Sequence, residues 1–242
     1  MPRVPCIISY AGVSSDETFL KTIPIETAFW KDSVLFCKRP QRRWLAINLN
    51  MEVTVIKKNK KSKLLYQIKV TLLGSKPPIW RRLIVKDNIR LDQLHSVLQL
   101  AMGWFNCHLH QYRVGSSYIG IPDLDFDMDV TDERKVCLQD IISDPNDSFV
   151  YEYDFGDGWE HKIVLEKILP LDFSESPVVI KGKKACPPED CGGIWGYSDF
   201  LDAIQDPRHE EHESMIEWVG GEFDPDAFDM KFINKKLNDL KL

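Results

Sequence analysis

The chain has 242 residues, of which 43% are hydrophobic and 28% are charged. This composition is typical of a globular protein with a sizeable core. The formal net charge of −6 excludes a uniformly basic nucleic-acid-binding protein, and no apolar run approaches the ~20 residues that span a bilayer. Six scattered cysteines in a chain of this length favour a reducing compartment, so we expect a cytoplasmic protein with no membrane partner.

Residues 1–50 show no helical or strand periodicity that lasts more than a few positions. We predict an N-terminal extension over residues 1–50, either disordered or produced by an upstream start, and a single domain over residues 51–242. The alternative is a genuine arm that packs through its apolar side chains. Those side chains are Phe29, Trp30, Leu35 and Phe36.

Strand and helix signals begin at Leu64. The runs LLYQIKVTLL and IWRRLIV flank the turn-rich spacer GSKPP and predict a hairpin. The segment LDQLHSVLQLAMG has apolar residues at helical spacing and ends at Gly103, which predicts an amphipathic helix. HLHQYRV reads as a strand, and SFVYEYDF and WEHKIVLE flank Gly156-Asp157-Gly158, which predicts a second hairpin.

Three helical segments are predicted near the C-terminus. The first runs from Ser198 to Pro207, the second is HEEHESMIEWV, and the third begins at Asp224-Pro225. Because strands come first and helices gather at the end, we predict an α+β fold. In this fold an antiparallel sheet is built from hairpins, one amphipathic helix is inserted, and the remaining helices gather at the C-terminus.

A cysteine loop, Cys186-Pro-Pro-Glu-Asp-Cys191-Gly-Gly, is the sharpest candidate for metal binding. Two thiolates can hold a soft ion such as zinc, but they supply only half of a tetrahedral site. The candidates for the other ligands are His161 and two histidines that share a face of a predicted strand, His108 and His110. A rigid turn with buried thiols and no ligand is the alternative.

Carboxylates near these histidines are candidates for catalysis. Asp154 and Asp157 flank the tight Phe155-Gly156 step, and Glu189 lies within the cysteine loop. Such groups position or activate water in a metal-dependent hydrolase or nuclease. For Asp154 and Asp157, capping of the backbone in a hairpin turn is the simpler interpretation.

Basic residues are concentrated between Ile56 and Arg90, a segment that contains eleven Lys or Arg residues and one acidic residue, Asp87. The sequence Trp80-Arg81-Arg82 places an aromatic ring beside two guanidinium groups, a combination that occurs on nucleic-acid-binding surfaces. A solvated face is the simpler interpretation. The candidate nucleic-acid-binding residues are Lys57, Lys58, Lys60, Lys61, Trp80, Arg81 and Arg82.

Taken in order, these motifs resemble the plasmid pRiA4b ORF-3-like family of transposon passenger-type proteins. The resemblance covers about residues 63–240 and rests most strongly on the ordered string YDFGDGWEH followed by CPPEDCGG. It implies an α+β fold and carriage on mobile elements or in bacterial and archaeal genomes. Further motifs that carry it are Trp80-Arg81-Arg82, Leu94-His95, Ala101-Met-Gly-Trp104, His108-Leu-His110, Gly196-Tyr197, Trp218, Phe223-Asp-Pro and Phe228-Asp229.

The leading functional hypothesis is a non-enzymatic binding or accessory module of mobile-element origin that engages nucleic acid or a protein partner. The basic segment motivates this hypothesis. The alternative is a zinc-dependent hydrolase or nuclease that uses the cysteine loop, the histidines and the hairpin carboxylates. A third interpretation is a purely structural cysteine loop.

Overall fold

A computed structural model describes residues 64–122, 130–171 and 177–242. All of them belong to one compact unit, Lys57–Leu242. The predicted extension over residues 1–50 and the predicted domain start at residue 51 lie outside the described residues.

Both predicted hairpins are confirmed. Strands β1 (Leu64–Leu72) and β2 (Trp80–Lys86) pair antiparallel, with Val70 opposite Arg81. Strands β6 (Ser148–Tyr153) and β7 (Trp159–Pro170) form the second hairpin. β7 also pairs with β1, so the two hairpins form the centre of one sheet.

The remaining strands extend this sheet to both sides. They are β3 (His110–Val114), β4 (Ser117–Gly120), β5 (Val130–Asp132) and β8 (Val178–Lys183). The strand order is β5-β4-β3-β6-β7-β1-β2-β8, and all neighbours are antiparallel except β4 and β5. The sequence did not predict β4, β5 or β8, because these short strands lie towards the sheet edges and carry little periodicity.

Helix α1 (Leu91–Met102) covers one face of the sheet, as the amphipathic pattern predicts. The Tyr112 hydroxyl donates to Leu91 O at 2.8 Å, and Arg81 Nε donates to Ala101 O at 2.9 Å. Gly103 ends the helix in the left-handed conformation, with φ 93°. Six apolar residues of the helix, at helical spacing, are buried: Leu91, Leu94, Val97, Leu98, Ala101 and Met102.

The C-terminal helices are α2 (Gly193–Gln205), α3 (His212–Trp218) and α4 (Met230–Asp239). The predicted start of α2 at Ser198 is wrong, because the left-handed Gly192 already begins the helix. The predicted start of α4 at Asp224 is also wrong. Asp224 Oδ1 accepts from Asp226 N in a turn at 2.8 Å, whereas Asp229 Oδ1 caps the helix at Phe232 N, 2.9 Å away.

The α+β class is confirmed, with a mostly antiparallel sheet and helices at the C-terminus. Among the described residues, none of the helices combines the length and apolar character needed to cross a membrane.

Candidate metal centre

Three separate segments meet at one end of the sheet. They are the tip of the β6–β7 hairpin, the segment between α1 and β3, and the cysteine loop before α2. Asp154 N donates to Leu109 O at 2.8 Å, which joins the first two segments. Gly192 N donates to Asp157 Oδ2 at 3.1 Å, which joins the hairpin to the start of α2. Asp157, a candidate catalytic residue, therefore acts as a tether.

Glu189 holds the cysteine loop against the same end of the sheet. Its Oε1 accepts from the Tyr153 hydroxyl at 2.6 Å and from Phe105 N at 3.1 Å. Burial and the bond to Glu189 raise the pKa of Tyr153. Trp104 Nε1 adds a bond to Pro187 O at 3.0 Å. Glu189, the third candidate catalytic residue, is thus engaged in fixing the loop.

One side-chain cluster lies where these segments meet. His108 Nε2 lies 3.4 Å from Asp190 Oδ1 and 3.7 Å from Asp154 Oδ2. This nitrogen is buried and has no hydrogen-bond partner among the described residues. The three ligand atoms all lie within 4.8 Å of one another, and no second group of this kind occurs in the described part of the chain.

These spacings fit a bound cation. Two ligand atoms about 2.1 Å from a tetrahedral ion lie ~3.4 Å apart, close to both distances from His108 Nε2. The two oxygens of Asp154 make different contacts. Oδ1 accepts a hydrogen bond from Gly156 N at 2.9 Å, and Oδ2 faces the His108 imidazole. The Asp190 side chain is 40% exposed, so solvent reaches the cluster.

Both carboxylates occupy backbone positions that few residues accept. Asp154 has φ 57° and Asp190 has φ 61°, in the left-handed region where Asp and Asn are enriched among non-glycine residues. The turn interpretation of Asp154 and its place in the cluster are therefore compatible. The same geometry makes Asp190→Asn a conservative substitution for the backbone.

His110, predicted as a metal ligand, is engaged elsewhere. Its Nε2 lies 2.8 Å from Glu133 Oε2, and its ring stacks on His95 with 3.5 Å between centroids. His95 in turn contacts the Tyr151 hydroxyl at 2.8 Å and Asn106 Oδ1 at 2.7 Å. Burial, with the neighbouring His110, lowers the pKa of His95 to about 4. This buried network supports the strand next to the cluster.

His161 is also separate from the cluster. It is fully buried and packs edge-on against Trp104, with 5.2 Å between ring centroids. Its Nδ1 lies 3.3 Å from Tyr151 O, and burial lowers its pKa to about 4. His161 is therefore a neutral core side chain at physiological pH.

The two cysteines of the loop lie outside the cluster. Cys186 Sγ accepts from Arg81 Nη2 at 3.2 Å and contacts Met102 Sδ at 3.6 Å. Burial raises the pKa of Cys186 to about 11, and burial and then Asp157 raise that of Cys191 to about 12. Cys186 therefore packs against the Arg81 guanidinium and the Met102 thioether. The predicted grouping of Cys186, Cys191 and the histidines is not formed in the described residues.

Arg81 was predicted to bind nucleic acid, yet it is only 2% exposed. Its guanidinium donates to Ala101 O at 2.9 Å and Trp80 O at 2.9 Å. Further bonds reach Lys183 O at 3.0 Å and Cys186 Sγ at 3.2 Å. A phosphate cannot reach a group enclosed in this way, so the structure does not place Arg81 on a nucleic-acid-binding surface.

The other predicted nucleic-acid-binding residues differ in their placement. Arg82 forms a two-pronged ion pair with Glu166, with its Nη2 2.8 Å from Oε1, and lies 5.2 Å from the Trp80 ring centroid. The remaining four lie outside the described residues: Lys57, Lys58, Lys60 and Lys61.

Asp190 and Glu133 are the site residues that sequence reasoning missed. Asp190 stands beside Glu189 in the cysteine loop, so its position in a turn before Cys-Gly-Gly was the available signal. Glu133 gave no signal, because its contact with His110 joins a short 3-10 helix, Glu133–Lys135, to β3 across the fold.

Comparison with known proteins places this arrangement in a family. The model of the plasmid pRiA4b ORF-3-like protein family matches residues 64–232, and the chain belongs to that family. It is 43% identical over 176 residues to protein y4hQ of Sinorhizobium fredii, covering 72% of this chain and 91% of y4hQ.

A solved structure has the same fold. The crystal structure of MM3350, a protein of unknown function from Methanosarcina mazei, is 37% identical with a TM-score of 0.65. The likeness covers 71% of this chain and 98% of MM3350.

Proposed function

We propose that the protein binds a divalent metal ion through His108, Asp154 and Asp190, and that it is a metal-dependent hydrolase. The observation that carries this proposal is the buried His108 Nε2, which faces two carboxylates without a hydrogen-bond partner among the described residues. Without a cation, two carboxylates lie close together at the imidazole. A divalent ion would neutralise both and give the nitrogen a partner.

The donor set favours a first-row transition metal. Imidazole nitrogen suits Zn²⁺ and other borderline ions, whereas carboxylate oxygen also suits Mn²⁺. Zinc, which the sequence predicts, would therefore be bound by a different set of ligands. In place of the thiols of Cys186 and Cys191, the ligands are one imidazole and two carboxylates.

Three protein ligands leave a coordination position for water, which is the pattern of catalytic sites. A zinc ion held by these three residues would lower the pKa of a bound water to about 7 and would supply a nucleophile for hydrolysis. The exposed side chains of Leu109 and Phe155 follow His108 and Asp154 directly in the chain. They offer apolar contacts for a substrate beside the ion.

Metal binding is tested by isothermal titration of metal-free protein with Zn²⁺ and with Mn²⁺. We expect one ion per chain, and we expect Asp190→Asn to weaken its binding by about 100-fold or more, at or above the effect of removing a supporting group of a metal site. Asp202→Asn, an exposed substitution in α2 with the same charge change, is the matched control. Binding that is absent, or equal in Asp190→Asn and wild type, would refute the metal site.

Hydrolysis is tested separately with two chromogenic esters, bis(p-nitrophenyl) phosphate and p-nitrophenyl acetate. We expect turnover of at least one ester by metal-loaded protein, loss of turnover on chelation, and loss in Asp190→Asn. Metal binding without turnover of either ester would contradict the hydrolytic part of the proposal and leave the metal site standing.

A further inference from the structure

A cavity of about 620 Å³ lies apart from the metal cluster, between the turn after β1 and the first half of α2. Pro77 and Ile79 line it from the turn, and Tyr197 and Leu201 line it from the helix. This volume falls within the range of about 300–1,000 Å³ that small-molecule sites occupy. None of the three proposed metal ligands lines the cavity, so its role is independent of the proposed hydrolase.

Trp195 gives this cavity an unusual wall. It lines the cavity from the first turn of α2, and it is 84% exposed. A tryptophan ring is a large apolar surface, and leaving it in water forgoes most of the free energy that burial would supply. A ligand seated in the cavity would cover this ring.

The charged residues at the wall indicate the charge of the ligand. Lys184 Nζ is paired with Asp226 Oδ1, so these two charges cancel. Lys76 also lines the cavity and forms no ion pair with any residue that the structure describes. The cavity therefore carries one uncompensated positive charge beside largely apolar walls.

We propose that this cavity binds an apolar monocarboxylate. The apolar body would lie against Trp195 and Pro77, and the carboxylate would pair with Lys76. Two sources share this chemistry, namely a small free acid and the C-terminus of a peptide that ends in an apolar residue.

The test uses two acids and their neutral amides as probes in calorimetric titrations of the full chain. 3-Phenylpropionate and 3-phenylpropionamide represent the free acid, and N-acetyl-Ala-Ala-Phe and its C-terminal amide represent the peptide. We expect saturable binding of at least one acid, about three- to fivefold tighter than its amide, as one exposed ion pair supplies. Saturation by phenylpropionate alone identifies a free acid, and saturation by the peptide alone identifies a chain end.

Two variants separate the contributions of the ring and the charge. Trp195→Ala removes an exposed side chain, so the fold is retained, and we expect binding to weaken about tenfold or more. Lys76→Gln should abolish the preference for acid over amide, whereas Lys231→Gln, an exposed change on α4, should leave it intact. The proposal is overturned if no probe saturates, if Trp195→Ala binds like wild type, or if acid and amide bind equally.

Discussion

Replacement of Arg81 by lysine tests how the structure uses this residue. A surface arginine would tolerate the change within about 0.5 kcal/mol. Buried Arg81 instead donates to three backbone oxygens, Ala101 O, Trp80 O and Lys183 O, and to the Cys186 thiol. Ala101 lies in the last turn of α1, where carbonyls lack partners within the helix.

The cost follows from the geometry of the two side chains. A lysine ammonium is a compact charge on a flexible stem and cannot reproduce the planar fork of a guanidinium. We expect at least two of the four contacts to be lost, at about 1–3 kcal/mol for each buried group left unsatisfied. Two such losses should therefore lower the free energy of unfolding by about 2–6 kcal/mol.

The assay is equilibrium unfolding in urea, with Arg82→Lys as the matched control. Arg82 is the neighbouring residue and is 26% exposed beside Glu166, so its replacement should cost no more than about 1 kcal/mol. Equal, small losses for Arg81→Lys and Arg82→Lys would contradict the buried placement of Arg81 and return it to the candidate nucleic-acid-binding surface.

Three further predictions concern packing, pH and nucleic acid. Gly196→Ala should lower the free energy of unfolding by about 3 kcal/mol or more, because the added Cβ would overlap Cys191 O. The control Ser198→Ala changes an exposed residue of the same helix and should leave the thermal unfolding midpoint nearly unchanged. Burial holds the pKa of His95 and of His161 at about 4, below the ordinary value, so the unfolded chain binds more protons. The free energy of unfolding should fall by roughly 2–4 kcal/mol from pH 7 to pH 5, and a flat profile would refute this. If the basic segment binds DNA, the affinity for DNA should drop steeply as the salt concentration rises. Binding should vanish when four lysines of the segment are replaced by glutamine. Binding that does not change with salt would exclude DNA binding through this segment. Those lysines are Lys57, Lys58, Lys60 and Lys61.

The central fold could be predicted because its signals are local. Gly156-Asp157-Gly158 marks the β6–β7 hairpin, and helical spacing from Leu91 marks α1. The edge strand β8 could not be predicted, since its pairing with β2 depends on a partner far away in the chain. The start of α2 was predicted wrongly because a glycine, Gly192, occupies the cap position where a polar residue is expected.

The sequence predicted some residues of the candidate site, but not which residues come together in it. The sequence indicated His108 and Asp154 as candidates and the cysteine loop as a metal-binding segment. Residue types could not show that the Cys186 thiol would accept a hydrogen bond from Arg81, or that the loop would place Asp190 beside His108 instead of a thiol. Those outcomes depend on how the loop packs on the hairpin, which is set by long-range contacts such as Glu189 with Tyr153.

The most direct test of the metal centre is a crystal structure of protein soaked in Mn²⁺, with anomalous difference density measured at a wavelength where manganese scatters. We expect one strong peak about 2.0–2.2 Å from His108 Nε2 and from one oxygen each of Asp154 and Asp190. A peak at Cys186 and Cys191, or density that shows the three side chains in contact with no ion between them at saturating Mn²⁺, would contradict it.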